Sequence, residues 1–257
     1  MTVNEFSNQF DVLYNNITSN QAPGLNEYEK SVFLTKAQDE IVKNYFNPKG
    51  NPKQEGYDDT PKRQADFSML MKTSIQSELA EGTHFDPRSK LYNIPSDMFI
   101  MVNEQIQFVH ITEGTVKGIR QVVPISFDEY TRLMSKPFKE PLKYQAWRLI
   151  SSVSNSNALA EIIITSADQS KYGSSGMTIS ILPKYVVRYV KRPNPIRLID
   201  FSDSYGENIT IGGDATVSEC ELDPILHEEI LQRAVELARI AWAGDTNATI
   251  QAGQRSE

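Results

Sequence analysis

Cysteine is nearly absent: Cys220 stands alone among 257 residues. One thiol cannot close an intrachain disulfide or build a cysteine-based zinc cluster. Histidine is almost as scarce, with only His84, His110 and His227. None has a second histidine, a cysteine or an acid at a metal-binding spacing, and a lone histidine is ordinarily structural. No apolar run approaches the ~18 residues that cross a bilayer. The opening MTVNEFSNQF has neither the basic start nor the apolar core of a secretory signal, so a cytoplasm-like compartment is expected. The glycines form no phosphate cradle. The run 173-GSSG-176 lacks the further glycines or lysine of a Walker A loop or dinucleotide fingerprint, and no G-x-S-x-G occurs. Asp58-Asp59 supplies too few oxygens for a hard cation. The expectation is a protein that is not an enzyme, with no cofactor and no metal.

What is present is an ordinary soluble composition, 39% hydrophobic and 23% charged. The length suits one large domain or two smaller ones. A formal charge of −7 argues against general affinity for nucleic acid, though not against a local basic patch.

The chain begins with helical periodicity. Val3, Phe6, Phe10, Leu13 and Ile17 share one face, and a polar run from Asn15 ends the helix. A second helix opens at Asn26 with Glu29 three residues on, a capping box, and carries Leu34, Ala37, Ile41 and Tyr45 before Asn47-Pro48. These two helices are expected to pack as a hairpin. Residues 47–64 form a long charged loop, and 65–80 a short helical or mixed stretch. From Pro95 the pattern turns to strands at 98–102, 105–111, 116–125, 147–152, 160–165, 177–190 and 196–200. Turns are expected at Asn103-Glu104 and Glu113-Gly114. One helix interrupts this region, capped by Ser126 with Glu129. The last helix has Asp223 at its cap and Pro224 at its first position. Leu226, Ile230, Ala234, Leu237, Ala238 and Ala241 make its stripe, and Gly244 ends it.

The fold class is therefore α+β: an N-terminal helical hairpin, a β-rich middle with one inserted helix, and a C-terminal helix packing back. The expected regions are 1–94, mainly helical; 95–200, β-rich; 201–245, an acidic loop and the last helix; and 246–257, a flexible tail.

Charge near the C-terminus is segregated. Lys184, Arg188, Lys191, Arg192 and Arg197 have only neutral residues between them, and the following segment carries Glu219, Glu221, Asp223, Glu228 and Glu229. One account is a solvated strand and a helix start favoured by acids. The other is an interface, because opposite charges on one subunit can meet head to tail and close a ring. Trp147 and Trp242 are candidates for core or for partner anchors.

Three blocks carry a family resemblance: 9-QFDVLYNNITSNQAPGLNEYEKSVFLTKAQDEIVKNYFN-47, 124-PISFDEYTRLMSKPFKEPLKYQAWRL-149, and 185-YVVRYVKRPNPIRLID-200 with 219-ECELDPILHEEILQRAVELARIAW-242. In this order they resemble the head-to-tail connector (neck or ring) proteins of crAss-like and related tailed phages. The resemblance implies a structural virion component at the portal–tail region, synthesised in the bacterial host cytoplasm. It further implies a homo-oligomeric ring, a dodecamer matching the portal. The expected partners are the portal protein, other ring or tail proteins, and passing genomic DNA bound without sequence specificity; no membrane is involved. Alternatives are another tail component, such as a tail-hub or stopper protein, and a nucleic-acid-binding protein using 184–197.

Overall fold

The computed structural model describes residues 1–17, 24–46, 65–79, 84–86, 89–136, 139–152, 158–165, 168, 181–202 and 209–243. Among them are four α-helices: α1 (Val3–Ile17), α2 (Glu27–Phe46), α3 (Phe127–Met134) and α4 (His227–Ala243). Seven strands accompany them: β1 (Met71–Ser77), β2 (Ser89–Asn93), β3 (Met98–His110), β4 (Val116–Pro124), β5 (Gln145–Ser152), β6 (Ala158–Ile163) and β7 (Ile181–Lys191). The chain divides into a helical unit, Met1–Leu70 with Pro193–Glu257, and a sheet unit, Met71–Arg192. This division falls at 70/71 and 192/193 rather than at the expected 94/95 and 200/201. The reason is that β1 and β2, in a stretch expected to be mainly helical, belong to the sheet. The loop 47–64, the run 173–176, Asp58-Asp59, Gly244 and the tail 246–257 lie outside the described residues.

In the helical unit, α1 buries Phe6, Phe10 and Tyr14 on one side. Helix α2 starts on the expected capping box: Asn26 N–H donates to Glu29 Oε2 at 2.9 Å, and Glu29 N–H donates to Asn26 Oδ1 at 2.8 Å. Lys30, nearly fully buried, ties α1 to α2. Its Nζ lies 2.7 Å from Asp11 Oδ2 and 2.9 Å from Glu27 Oε1. Burial pulls the Lys30 pKa down, but hydrogen bonds to Asp11 and Glu27 outweigh it, and the net shift is upward. Helix α4 follows a 3-10 turn at Pro224–Leu226, where the Asp223 carboxylate accepts the Ile225 N–H at 3.0 Å. It packs on α2 and α1, burying Leu226, Ile230, Leu231, Ala234, Val235 and Ala238. The buried face is rotated from the expected stripe: Leu231 and Val235 point inward, Leu237 is half-buried and Ala241 is exposed.

The expected strand 196–200 is not one; it contributes a single bridge, Arg197 to Ser218. Its backbone is satisfied instead by polar side chains of α2 at helical spacing. Thr35 Oγ1 accepts the Ile196 N–H at 3.1 Å, Ser31 Oγ accepts the Leu198 N–H at 3.1 Å, and Gln38 Nε2 donates to Asn194 O at 2.8 Å. Buried backbone needs such partners wherever no neighbouring strand supplies them. This explains why Ser31 and Gln38, both polar, are fully buried.

The sheet unit is one seven-stranded sheet ordered β1-β7-β3-β4-β5-β6-β2. Its two edges curl together, and Leu79 N–H, just past β1, donates to Leu91 O of β2 at 2.9 Å. Every pairing is antiparallel except β4 with β5, which run parallel. A parallel pair requires a crossover, and the inserted helix α3 provides it. The Ser126 Oγ accepts the Glu129 N–H, as the sequence implied. Helix α3 packs Tyr130, Leu133 and Met134 against Trp147, Leu149 and Ile163 on one face of the sheet. The opposite face encloses the main core, including Tyr92, Ile106, Phe108, Ile162, Tyr185 and Val187.

The turn expected at Asn103-Glu104 is continuous strand. Register shifts between Met98 and Ile100 and between Met101 and Asn103 insert extra residues beside β7, bending β3 without breaking it. The turn at Glu113-Gly114 is present, with Gly114 at φ 65°. Pro183, near the start of β7, is tolerated because the β1 pairing ends at Lys184, leaving β7 one neighbour there.

Candidate functional site

The sequence proposes chemistry only through charge, and the structure sorts those charges into different roles. Lys184 and Arg188 lie on the face of β7 opposite the main core, the first half-buried and the second exposed. Lys184 faces Ser77 on β1 and Gln107 on β3; Arg188 faces Thr73 and Asn103. Lys191 and Arg192 close the strand, where the Arg192 N–H donates to Asp97 O at 2.9 Å. Arg197 turns inward: 5% exposed, it donates to Thr216 O, to Ile211 O at 2.9 Å and to Asp214 Oδ2 at 3.0 Å. It organises the loop before α4.

The acids divide in the same way. Glu219, Glu228 and Glu229 are exposed. Glu221 accepts from the Asn194 side chain at 2.8 Å and its N–H at 3.1 Å, and Asp223 is the helix cap. Lys184, Arg188, Lys191 and Arg192 belong to the sheet unit; Arg197 and all five acids belong to the helical unit. The charge asymmetry extends to the whole units. The helical unit has 22 acids against 11 bases, −11, and the sheet unit 11 acids against 15 bases, +4.

The histidines have local partners. His227 is buried, with Nε2 donating to Leu222 O at 3.0 Å and Nδ1 2.6 Å from the amino terminus. His110 Nδ1 accepts the Glu113 N–H in the turn at 3.3 Å. His84 Nδ1 is 3.1 Å from Ser89 Oγ. Ser89 in turn donates to Glu161, so a histidine, a serine and an acid are adjacent. The order is wrong for a nucleophile, since the acid holds the serine rather than orienting the imidazole. Glu161 Oε1 also accepts the Phe85 and Asp86 N–H groups at 2.7 and 2.9 Å, which makes it an anchor for the chain before β2. Burial lifts the Cys220 thiol to about 11, leaving it protonated and unreactive at neutral pH. Among the described residues no cluster of His, Cys, Asp and Glu could hold a metal ion.

Sequence reasoning missed the polar groups inside the curled sheet. Arg120 grips Asp168 with two 2.7 Å contacts, its guanidinium 5.6 Å from the Phe108 ring. Arg148 Nε lies 2.8 Å from Glu104 Oε2 at an angle that makes a charge contact but no hydrogen bond, and Tyr185 Oη donates to Glu104 at 2.6 Å. Burial pushes the Glu104 carboxyl up, against the pull of Tyr185 and Arg148. These residues alternate within apolar strands, and no sequence signal says which partner each will find. Of the tryptophans, Trp147 is core, whereas Trp242 is half-exposed. Trp242 lines an apolar groove of about 390 Å³ with Tyr14, Leu25, Tyr28, Val32 and Phe33.

Comparison with known proteins decides the class. A family model described as phage tail ring protein 3/4 matches residues 1–250. The chain belongs to this family of crAss-like phage ring proteins. It is 53% identical over 259 residues to "Ring protein 4/5" of Bacteroides phage crAss001, covering all of both chains. It is 32% identical over 243 residues to "Ring protein 3" of the same phage, covering 94% of this chain and 96% of that one. As a member of the ring protein family it is a structural component of the virion, as the three sequence blocks implied. No helix among its described residues is long and apolar enough to cross a membrane.

Proposed function

We propose that this chain forms a closed homo-oligomeric ring in the portal–tail connector, a dodecamer matching the portal, whose bore is part of the DNA-exit channel. The observation that carries this reading is the family match along 1–250, together with full-length similarity to proteins named for rings. The 53% identity to a ring 4/5 protein, against 32% to a ring 3 protein, supports a position corresponding to ring 4/5. The role is mechanical rather than enzymatic. The portal protein and the other ring or tail proteins are its neighbours, and DNA passes without sequence-specific contact. The charge division between units supports head-to-tail closure, since a heterologous contact pairs two different surfaces of the same chain.

Antibody labelling of intact virions tests the location. The expected result is label confined to the head–tail junction. Label on the head shell or at the distal tail tip would remove the chain from the connector.

A further inference from the structure

The sheet face that carries α3 over β5 and β6 leaves exposed apolar side chains over β1, β7, β3 and β4. On the side of β7 opposite the core, Ile75, Leu182 and Ile119 are 61%, 43% and 50% exposed. Register sets Ile75 beside the buried Val186 and, one strand further, Gln105; Lys184 beside Ser77 and Gln107; Ile119 beside Gln107; and Arg188 beside Thr73 and Asn103. Lys184 and Arg188 are the charges in these rows, and no acid stands among them. Exposed apolar residues set among like charges mark an interaction surface. Two bases are too few for phosphate-driven binding, in which each neutralised phosphate needs its own cation. Three aliphatic side chains also offer nothing to a nucleic-acid backbone.

The helical unit carries the complementary patch. At the α4 N-terminus Ile225 is 64% exposed and is followed by the exposed acids Glu228 and Glu229, and the segment leading to it exposes Val217, at 49%, and Glu219. We infer that this β1-β7-β3-β4 face of one copy receives the acidic corner around Ile225 of the next copy, forming the subunit contact of the ring. The inference rests on the ring reading and names its interface. The occupant is a second copy because the chain itself supplies the opposite charge, −11 against +4, and an apolar counterpart. Aliphatic contact supplies the affinity, and the charges set register and direction.

A charge-swap experiment tests this, with the chain co-produced with its portal and connector partners. Lys184→Glu with Arg188→Glu, and separately Glu228→Lys with Glu229→Lys, should each lower ring yield at least tenfold while leaving the thermal melt of the subunit unchanged. Mixed in equal amounts, the two variants should restore rings, because every contact in an alternating ring is then complementary. Wild-type ring yield from either variant alone would overturn the interface and leave the ring reading standing. Intact rings with altered DNA retention would mark the face as channel lining and likewise overturn it. Rings that are not restored by mixing would also refute the pairing. A wild-type chain that forms no ring beside its partners would instead overturn the ring reading, and the interface with it.

Discussion

Ile230→Ala is the sharpest test of what holds the helical unit together. Ile230 is fully buried on α4, between Leu226 and Ala234 on the face that meets α2 and α1. Truncation removes three side-chain carbons and leaves a cavity that rigid helices collapse only in part, which costs ~2–5 kcal/mol. Alanine's better helix propensity returns only ~0.5 kcal/mol of this. The adjacent Glu229 is exposed, and its replacement by alanine should move stability by less than ~0.5 kcal/mol. The two tryptophans make the assay specific to one unit, since Trp147 lies in the sheet unit and Trp242 at the end of α4. In a Trp147→Phe background, Trp242 fluorescence in a urea titration reports the helical unit. Ile230→Ala should lower the midpoint at unchanged slope by an amount equivalent to ~3 kcal/mol. An unchanged midpoint with loss of ring assembly would mean that Ile230 faces a neighbouring subunit, and the packing argument would fail.

Other outcomes follow from single residues. Arg197→Ala should destabilise the helical unit by ~2–4 kcal/mol, because it removes the donors that the buried guanidinium supplies to the Thr216 and Ile211 carbonyls, whereas Arg188→Ala should leave the melt unchanged; equal effects would contradict their assigned roles. Gly212 has φ 70° and a built Cβ would sit 2.6 Å from Pro195 Cγ, while Gly114, at φ 65°, faces open space. Gly212→Ala should therefore cost more than the ~1–2 kcal/mol of left-handed strain expected for Gly114→Ala, as compared by thermal melts. His227 is held neutral chiefly by burial, which lowers its pKa. The unfolded chain binds its proton near ~6.5 and the folded chain only below that, so stability is full above pH ~6.5 and falls as pH drops toward the folded value. Urea midpoints followed through Trp242 should decline across that window, and His227→Gln should flatten the decline; identical pH profiles would refute the assignment.

The legible parts of the fold were those written in local chemistry. Asn26 with Glu29, Ser126 with Glu129, and Asp223 with Pro224 each form the cap their residue types demand. Strands β3 to β7 stood out because β-branched and aromatic residues alternate there. Strand β1, 71-MKTSIQS-77, did not, because it is a mostly exposed edge whose pairing partner β7 lies over a hundred residues away. The segment 196–200 misled for the reverse reason: its apolar alternation is real, but it packs on α2, whose Ser31, Thr35 and Gln38 take the place of a neighbouring strand. At the charged segments, sequence cannot tell a surface arginine from an internal one. Arg188 and Arg197 look alike in sequence and differ only in what tertiary structure puts around them.

An asymmetric cryo-electron microscopy reconstruction of the virion at the portal–tail junction would show directly whether this chain forms the ring. The expected density is a continuous closed ring of this chain, twelve copies in register with the portal, with the β7 face of each copy against the α4 corner of the next. A virion in which this chain forms no closed layer between portal and tail would contradict it.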